Sequence, residues 1–136
     1  IQNALELLGD EPFMLINADV YHDIDLAAIN KIVKVAHLVG VKNPEHNLQG
    51  DFSLDGDIVS VRSEANDYTW SGISVINPSI FNKLIPQEMP FDIWNKVLKQ
   101  FINNKEVSAE ISDGIWIDTG TIDRLELANK THKDEN

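Results

Sequence analysis

Two apolar runs of the chain each end on an aspartate, a position where a carboxylate could take part in chemistry. Residues 115–121 read Ile-Trp-Ile-Asp-Thr-Gly-Thr and contain Asp118, and residues 13–19 read Phe-Met-Leu-Ile-Asn-Ala-Asp and end on Asp19. Asp-Thr-Gly carries the catalytic carboxylate of aspartic proteases. An aspartate that closes a buried strand can instead hold a metal ion, because ligands of α/β sheets collect outside the carboxyl ends of strands.

The protease interpretation predicts a nearly all-β chain that dimerises to pair two carboxylates. A length of 136 residues fits a retroviral-type protease. At least four segments have helical spacing, however, and the Asp-Thr-Gly lies late in the chain, where it opens a helix. The protease is therefore disfavoured. Asp19 and Asp118 could together hold Mg²⁺, which accepts one or two carboxylates and fills its shell with water and phosphate oxygens. A plain turn at Asp19 and a helix cap at Asp118 stay open as the structural alternative.

The elements around the two aspartates alternate between strand and helix. Apolar spacing predicts a helix over 1–8 that is already under way at its first residue and ends at Gly9. A strand over 13–19, a helix from Asp25 to about Val35 and a strand over 36–41 form the pattern of a crossover in a parallel sheet. Further elements are predicted as a hairpin turn at Asp55-Gly56, strands at 69–76, 106–112 and 115–118, helices at 78–84 and 91–104, a last helix capped by Thr121, and a frayed tail at 131–136.

Composition excludes several classes of function. The chain has 22 acidic and 11 basic residues, a net charge of −11. Such a surface repels nucleic-acid phosphates, so no nucleic-acid partner is expected. No apolar run is long enough for a membrane span. The absence of cysteine rules out a disulfide framework and a thiolate zinc site, which makes the cytoplasm the default location.

Four segments have the order and spacing of the motifs of one enzyme family: 4–20, 36–54, 69–81 and 114–128. The chain resembles the sugar-1-phosphate nucleotidyltransferases, and most closely the bacterial N-acetylmuramate α-1-phosphate uridylyltransferases. In that family, Asn-Gly-Asp and Trp-x-Asp-x-Gly-Thr supply two magnesium carboxylates. They correspond here to Asn17-Ala18-Asp19, with alanine in place of the usual glycine, and to 116–121. The resemblance thus implies a Mg²⁺ cofactor held by Asp19 and Asp118.

The resemblance also implies the fold and the reaction. The expected fold is an α/β three-layer sandwich with a mixed, mostly parallel sheet. A nucleoside triphosphate, UTP by preference, would react with a sugar 1-phosphate, N-acetylmuramate 1-phosphate by preference, in nucleotide-sugar biosynthesis and peptidoglycan recycling. Guanylyl transfer to mannose 1-phosphate and thymidylyl transfer to glucose 1-phosphate stay open. The residues that the resemblance places near the substrates are Asn17, Gly50, Asp51, Ser71 and Gly72. No histidine has ligand spacing, and His37, in an apolar strand, is predicted to be a core residue.

The family's glycine-rich nucleotide loop, with its arginine and lysine, has no counterpart in the 136 residues. Residues 1–136 are therefore expected to be the C-terminal portion of a single nucleotidyltransferase domain, lacking its N-terminal part. We therefore expect the isolated chain to be inactive and its open sheet edge to allow self-association. The alternative from another class of function is a non-catalytic module that binds a sugar or a nucleotide.

Overall fold

The computed structural model describes residues 4–83 and 92–134. Its strands are β1 (Phe13–Ile16), β2 (Val20–His22), β3 (Ala36–Lys42), β4 (Ser53–Asp55), β5 (Ile58–Ser60), β6 (Tyr68–Ile76), β7 (Val107–Ile111) and β8 (Trp116–Asp118). Its α-helices are α1 (Leu5–Leu8), α2 (Lys99–Asn103) and α3 (Ile122–Asp134). Short 3₁₀ helices cover Glu45–Asn47 and Pro78–Lys83, and a π-helical turn, Trp94–Leu98, leads directly into α2.

Six strands form one mixed sheet in the order β1-β6-β3-β7-β5-β4, and β2 pairs with β8 in a separate two-stranded ribbon. Strands β3 and β7 are parallel neighbours, whereas every other adjacent pair is antiparallel. The mixed α/β sheet is as predicted. The sheet was also predicted to be mostly parallel. Four of its six strands, β1, β3, β7 and β4, do run in one direction. Because β6 and β5 run the other way and lie between most of them, only β3 and β7 are parallel neighbours among the described strands.

The helix predicted from Asp25 to Val35 is wrong, because the segment forms turns and irregular backbone. The carboxylate of Asp25 accepts a hydrogen bond from the Ala27 N–H at 2.9 Å, as a helix cap does, but in the middle of the segment the Asn30 side chain accepts one from the Ile32 N–H at 3.0 Å. Such local side-chain bonds to the backbone compete with helical hydrogen bonds. The predicted helical crossover is therefore absent, and β6 separates β1 from β3.

The other predicted elements lie close to their expected positions. The hairpin turn falls one residue later, because Asp55 pairs with Ile58 and leaves Gly56-Asp57 as the turn. The last helix continues through Asp134, so the predicted fraying from residue 131 is wrong as far as the structure describes the tail. The predicted helix start at Ile1, the helix end at Leu84, residue 91, and positions 135–136 lie outside the described residues.

The sheet is covered on both faces, which gives the expected three layers. The larger core packs the helical segment 94–103 against β3 and β7 and includes Leu38, Leu98 and Val107, all fully buried. On the other face the irregular segment after β2 contributes Ile29, which packs with Val39 and Val75. The hydrophobic effect thus holds β3 at the centre, where six of its seven residues are buried.

His37 is a satisfied core residue, as predicted. Its side chain lies on the smaller-core face of β3 and bonds the Ser108 hydroxyl at 2.8 Å and the Glu110 carboxylate at 2.9 Å. Both partners lie on β7, on the same face of that strand, since their positions differ by two. The three side chains therefore cross-link the parallel pair and leave no unpaired ring nitrogen in the interior.

Candidate functional site

The ribbon of β2 and β8 brings the two aspartates together. Val20 pairs with Asp118, so Asp19 lies just before one strand and Asp118 ends the other. Beyond this register, Thr119 donates two hydrogen bonds to the Asp19 carbonyl oxygen, from its N–H at 2.7 Å and from its hydroxyl at 3.0 Å. Two segments about a hundred residues apart are thereby fixed side by side, with both carboxylates facing one cleft.

The cleft has a volume of about 400 Å³. Five of the seven predicted site residues line it, and the complete lining consists of Asn17, Asp19, Val20, His46, Asn47, Asp51, Thr69, Trp70, Ser71, Trp116 and Asp118. Gly50 and Gly72 lie next to the lining in sequence and are not part of it. The lining is therefore mostly polar, with residues that carry carboxylates and amides beside two tryptophans.

Asp118 is held from three directions. Its Oδ1 accepts the Gly120 N–H at 2.7 Å and a bond from Arg124 Nη2 at 3.2 Å. The Nε2 atom of His46 lies 3.6 Å from the other carboxylate oxygen. The Asp118 side chain keeps 29% of its surface exposed, and Asp19 is an exposed residue. Both carboxylates can therefore be reached by a ligand in the cleft.

Asp51 is a structural anchor of the cleft wall. One carboxylate oxygen accepts the Trp70 N–H at 2.8 Å, and the other accepts a bond from Asn47 Nδ2 at 3.1 Å. Asn47 also donates to the Thr69 hydroxyl at 3.1 Å. Because both oxygens of Asp51 are engaged within the chain, its clearest effect is to fix Asn47 and Trp70 beside the cleft.

The two predicted glycines are needed for their backbone conformation. Gly72 has a φ of 80°, and a Cβ atom there would lie 2.6 Å from the Asn17 amide. The ladder between β3 and β6 shifts register opposite Gly72, so the residue forms a bulge, and its carbonyl accepts the Asn17 N–H at 2.9 Å. Gly50 has a φ of 63°, and a Cβ there would lie 2.6 Å from the Asn66 carbonyl.

Ser71 presents its main chain to the site while its hydroxyl is used in the interior. The fully buried hydroxyl donates to the Val39 carbonyl at 2.7 Å. The Ser71 carbonyl accepts the indole N–H of Trp116 at 2.9 Å. Alanine at position 18 is compatible with the turn before β2, because Ala18 does not have a positive φ. Among the described non-glycine residues, a positive φ is found at Lys105.

Several residues of the site were missed by sequence reasoning. His46 was not singled out because the histidines have no ligand spacing, and Arg124 was not singled out because it lies beyond the motif at 116–121. In the structure Arg124 contacts Asp118. A signal was present: Arg124 lies in the first turn of the helix that follows Asp118, and helical side chains point back toward the N-terminus. Asn47, Thr69 and Trp70 gave no comparable signal.

The side chains of the cleft fit a magnesium ion bound together with a phosphate ligand. Within residues 4–83 and 92–134, no group of three or more histidines, aspartates or glutamates is assembled to hold a metal ion. Two accessible carboxylates, however, are the protein share that Mg²⁺ commonly takes, with water and substrate phosphate supplying its other ligands. The donor set is all oxygen, which suits this hard cation.

Among the helices of the described ranges, none is long and apolar enough to cross a membrane.

Comparison with solved structures shows which fold this is. A structure assigned as a glucose-1-phosphate thymidylyltransferase of Bacillus anthracis superposes with a TM-score of 0.79 at 16% identity, covering 98% of this chain and 59% of that one. HddC of Yersinia pseudotuberculosis in complex with GMP-PN gives a TM-score of 0.72 at 18% identity, with 96% and 60% covered. The fold is that of the sugar-1-phosphate nucleotidyltransferases.

Sequence comparison adds a curated relative. The N-acetylmuramate α-1-phosphate uridylyltransferase of Neisseria meningitidis serogroup B is 37% identical over 145 aligned positions. The match covers 94% of this chain, and the chain spans 58% of that protein's length. No protein-family model matches the chain. The resemblance seen in the motifs is thus confirmed over nearly the whole chain.

We predict that Gly72→Ala destabilises the protein more than Gly56→Ala. Both glycines have a positive φ, which costs an alanine about 1 to 2 kcal/mol, but a Cβ at Gly56 meets nothing within 4 Å. At Gly72 it collides with Asn17, adding about 1 to 3 kcal/mol of overpacking. Urea denaturation measures the difference. Equal losses of unfolding free energy would show that Gly72 and Asn17 do not pack as described.

Proposed function

We propose that this chain forms the metal- and sugar-phosphate-binding portion of a sugar-1-phosphate nucleotidyltransferase, with residues 1–136 belonging to a single domain. The reaction joins a nucleoside triphosphate and a sugar 1-phosphate into a nucleotide sugar and releases pyrophosphate. The proposal depends on one observation: Asp19 and Asp118, the carboxylates of the two matching motifs, face the same cleft. Similarity over 94% of the chain to a uridylyltransferase supports it.

Asp19 and Asp118 would hold Mg²⁺. When bound, the ion would neutralise phosphate charge and bring two anionic substrates together. No protein nucleophile is needed, because the sugar phosphate itself attacks the α-phosphorus in line.

The chain's own residues would position the reactants. The Gly120 N–H fixes the Asp118 carboxylate, and the Thr119 bonds to the Asp19 carbonyl fix the distance between the two sides of the cleft. Asn47 lines this wall, where its amide oxygen suits a sugar hydroxyl, and Asp51 and Thr69 hold its amide nitrogen in place. Trp116 supplies apolar surface on which a sugar ring could pack, whereas the ring of Trp70 stacks on Trp94.

UTP and N-acetylmuramate 1-phosphate are the favoured substrates, because the curated relative is named for that reaction. We place the reaction in the cytoplasm, in peptidoglycan recycling, without a nucleic-acid or membrane partner. The lack of cysteine supports the cytoplasmic location, and the net charge of −11 supports the absence of a nucleic-acid partner.

We predict that Mg²⁺ raises the melting temperature of the wild-type chain and has no effect on Asp118→Asn or Asp19→Asn. A ligand stabilises the state that binds it, and each amide removes one of the two anionic ligands. Asp55→Asn, on the exposed hairpin turn, is the matched control and should keep the full response. A response of equal size in all four proteins would remove both aspartates from the list of metal ligands.

A second prediction concerns substrates. With Mg²⁺ present, N-acetylmuramate 1-phosphate should raise the melting temperature more than mannose 1-phosphate or glucose 1-phosphate, and Asp19→Asn should abolish the effect. Preference for one of the other two sugars would instead favour guanylyl or thymidylyl transfer.

With UTP added, the 136-residue chain should release no pyrophosphate above a protein-free control, since it has no glycine-rich loop. Release well above that control would mean that the chemistry resides in other residues. No response to any sugar phosphate would contradict the proposed function.

We also propose that copies of the chain associate through the edge of the sheet at β1. Among the described strands β1 pairs only with β6, and Ile16 is 39% exposed. Unpaired strand edges with apolar side chains favour association with another chain. Sedimentation velocity should show dimers of the wild type and monomers of Ile16→Lys. A wild-type monomer at all concentrations would contradict it.

A further inference from the structure

Arg124 is the positively charged side chain closest to the proposed metal ligands, and the proposed reaction assigns it no role. It lies in the first turn of α3 with its side chain 27% exposed, and Nη2 donates to Asp118 Oδ1 at 3.2 Å. Its Nε atom is buried and has no hydrogen-bond partner among the described residues. The guanidinium thus contacts Asp118 through Nη2, and its Nε atom is left for another acceptor.

The orientation of Asp118 does not depend on Arg124. The same Oδ1 atom already accepts the Gly120 N–H at the shorter distance of 2.7 Å. This backbone donor is fixed by the turn that leads into α3, and it would stay in place if the arginine side chain were removed. What Arg124 adds beyond the backbone bond is therefore its positive charge.

We propose that Arg124 is a built-in competitor of the divalent cation at Asp118. The proposal rests on the proposed function, since it requires a divalent cation at this carboxylate. A guanidinium in contact with Oδ1 neutralises part of the charge that attracts the ion and repels the ion once it is bound. Cation binding then has to displace Arg124 or overcome its repulsion.

This competition would weaken the binding of a free cation and make the cation affinity depend on the presence of substrate. A sugar phosphate brings negative charge into the cleft, where it can pair with the cation and compensate the arginine. The cation and the phosphate would therefore bind with positive coupling, and the cleft without substrate would bind metal more weakly than the cleft with substrate. Arg124 sets how strong that coupling is.

The test is a titration with Mn²⁺, followed by electron paramagnetic resonance of the free ion. We expect Arg124→Met to bind Mn²⁺ roughly twofold to fivefold more tightly than the wild type, the range of a partly exposed ion pair. Arg124→Lys, which keeps the charge, should bind like the wild type. Arg62→Met is the control, because Arg62 pairs with Asp67 on the surface, away from the cleft, and its loss should change nothing.

The outcomes separate this inference from the proposed function. If Asp118→Asn abolishes Mn²⁺ binding but Arg124→Met leaves the affinity unchanged or weakens it, the metal site stands and the competition is refuted. If neither the wild type nor Arg124→Met binds Mn²⁺, or if Asp118→Asn binds it normally, both fail. Thermal melts of each variant without metal confirm that it is folded. An equal gain in Arg124→Lys and Arg124→Met would also overturn the proposal, because charge would not be the cause.

Discussion

The cleft depends on the short ribbon between β2 and β8. Its register sets Val20 against Asp118, and Thr119 reaches across to the Asp19 carbonyl with both its N–H and its hydroxyl. Main-chain hydrogen bonds of this kind leave little freedom for the two aspartates to separate. Without the ribbon the carboxylates would belong to distant parts of the chain, and no shared site could form.

The rest of the fold supports this ribbon from two sides. The six-stranded sheet provides Gly72, whose bulge accepts the Asn17 N–H just before Asp19. Helix α3 follows β8 and supplies Arg124 to the other aspartate. The Asp51 carboxylate ties the loop that carries Asn47 to Trp70 of β6. Hydrogen-bonded elements thus hold each wall of the cleft, as the proposed phosphate reaction would require.

Prediction from the sequence succeeded where local pattern and long-range packing agree. The apolar runs of β3 and β6 predict buried strands from local sequence alone. The motif around Asp118 likewise predicts the end of a strand from its own residues. The prediction of a helix over 25–35 failed because Asn30, in the middle of the segment, bonds to the nearby backbone, a preference that apolar spacing does not reveal.

The residues that line the cleft were predicted in part. Asp19, Asp118 and Asn17 were identified through the family's motifs, and all three line the cleft. The hydroxyl of Ser71, in contrast, faces the interior, and the carboxylate of Asp51 is occupied by the chain. The place of Arg124 in the first turn of α3 could have indicated its contact with Asp118. His46 reaches Asp118 only because the 3₁₀ helix at 45–47 lies beside β8, and single-sequence patterns carry no information about that packing.

The central claim is that Asp19 and Asp118 hold one divalent cation in this cleft. Crystals of the chain soaked with Mn²⁺ and N-acetylmuramate 1-phosphate would test it by anomalous diffraction at the manganese absorption edge. We expect one peak within about 2.0 to 2.3 Å of an oxygen from each aspartate, with the two oxygens about 3 to 5 Å apart. A peak bound to other residues, or no peak at saturating Mn²⁺, would contradict the account.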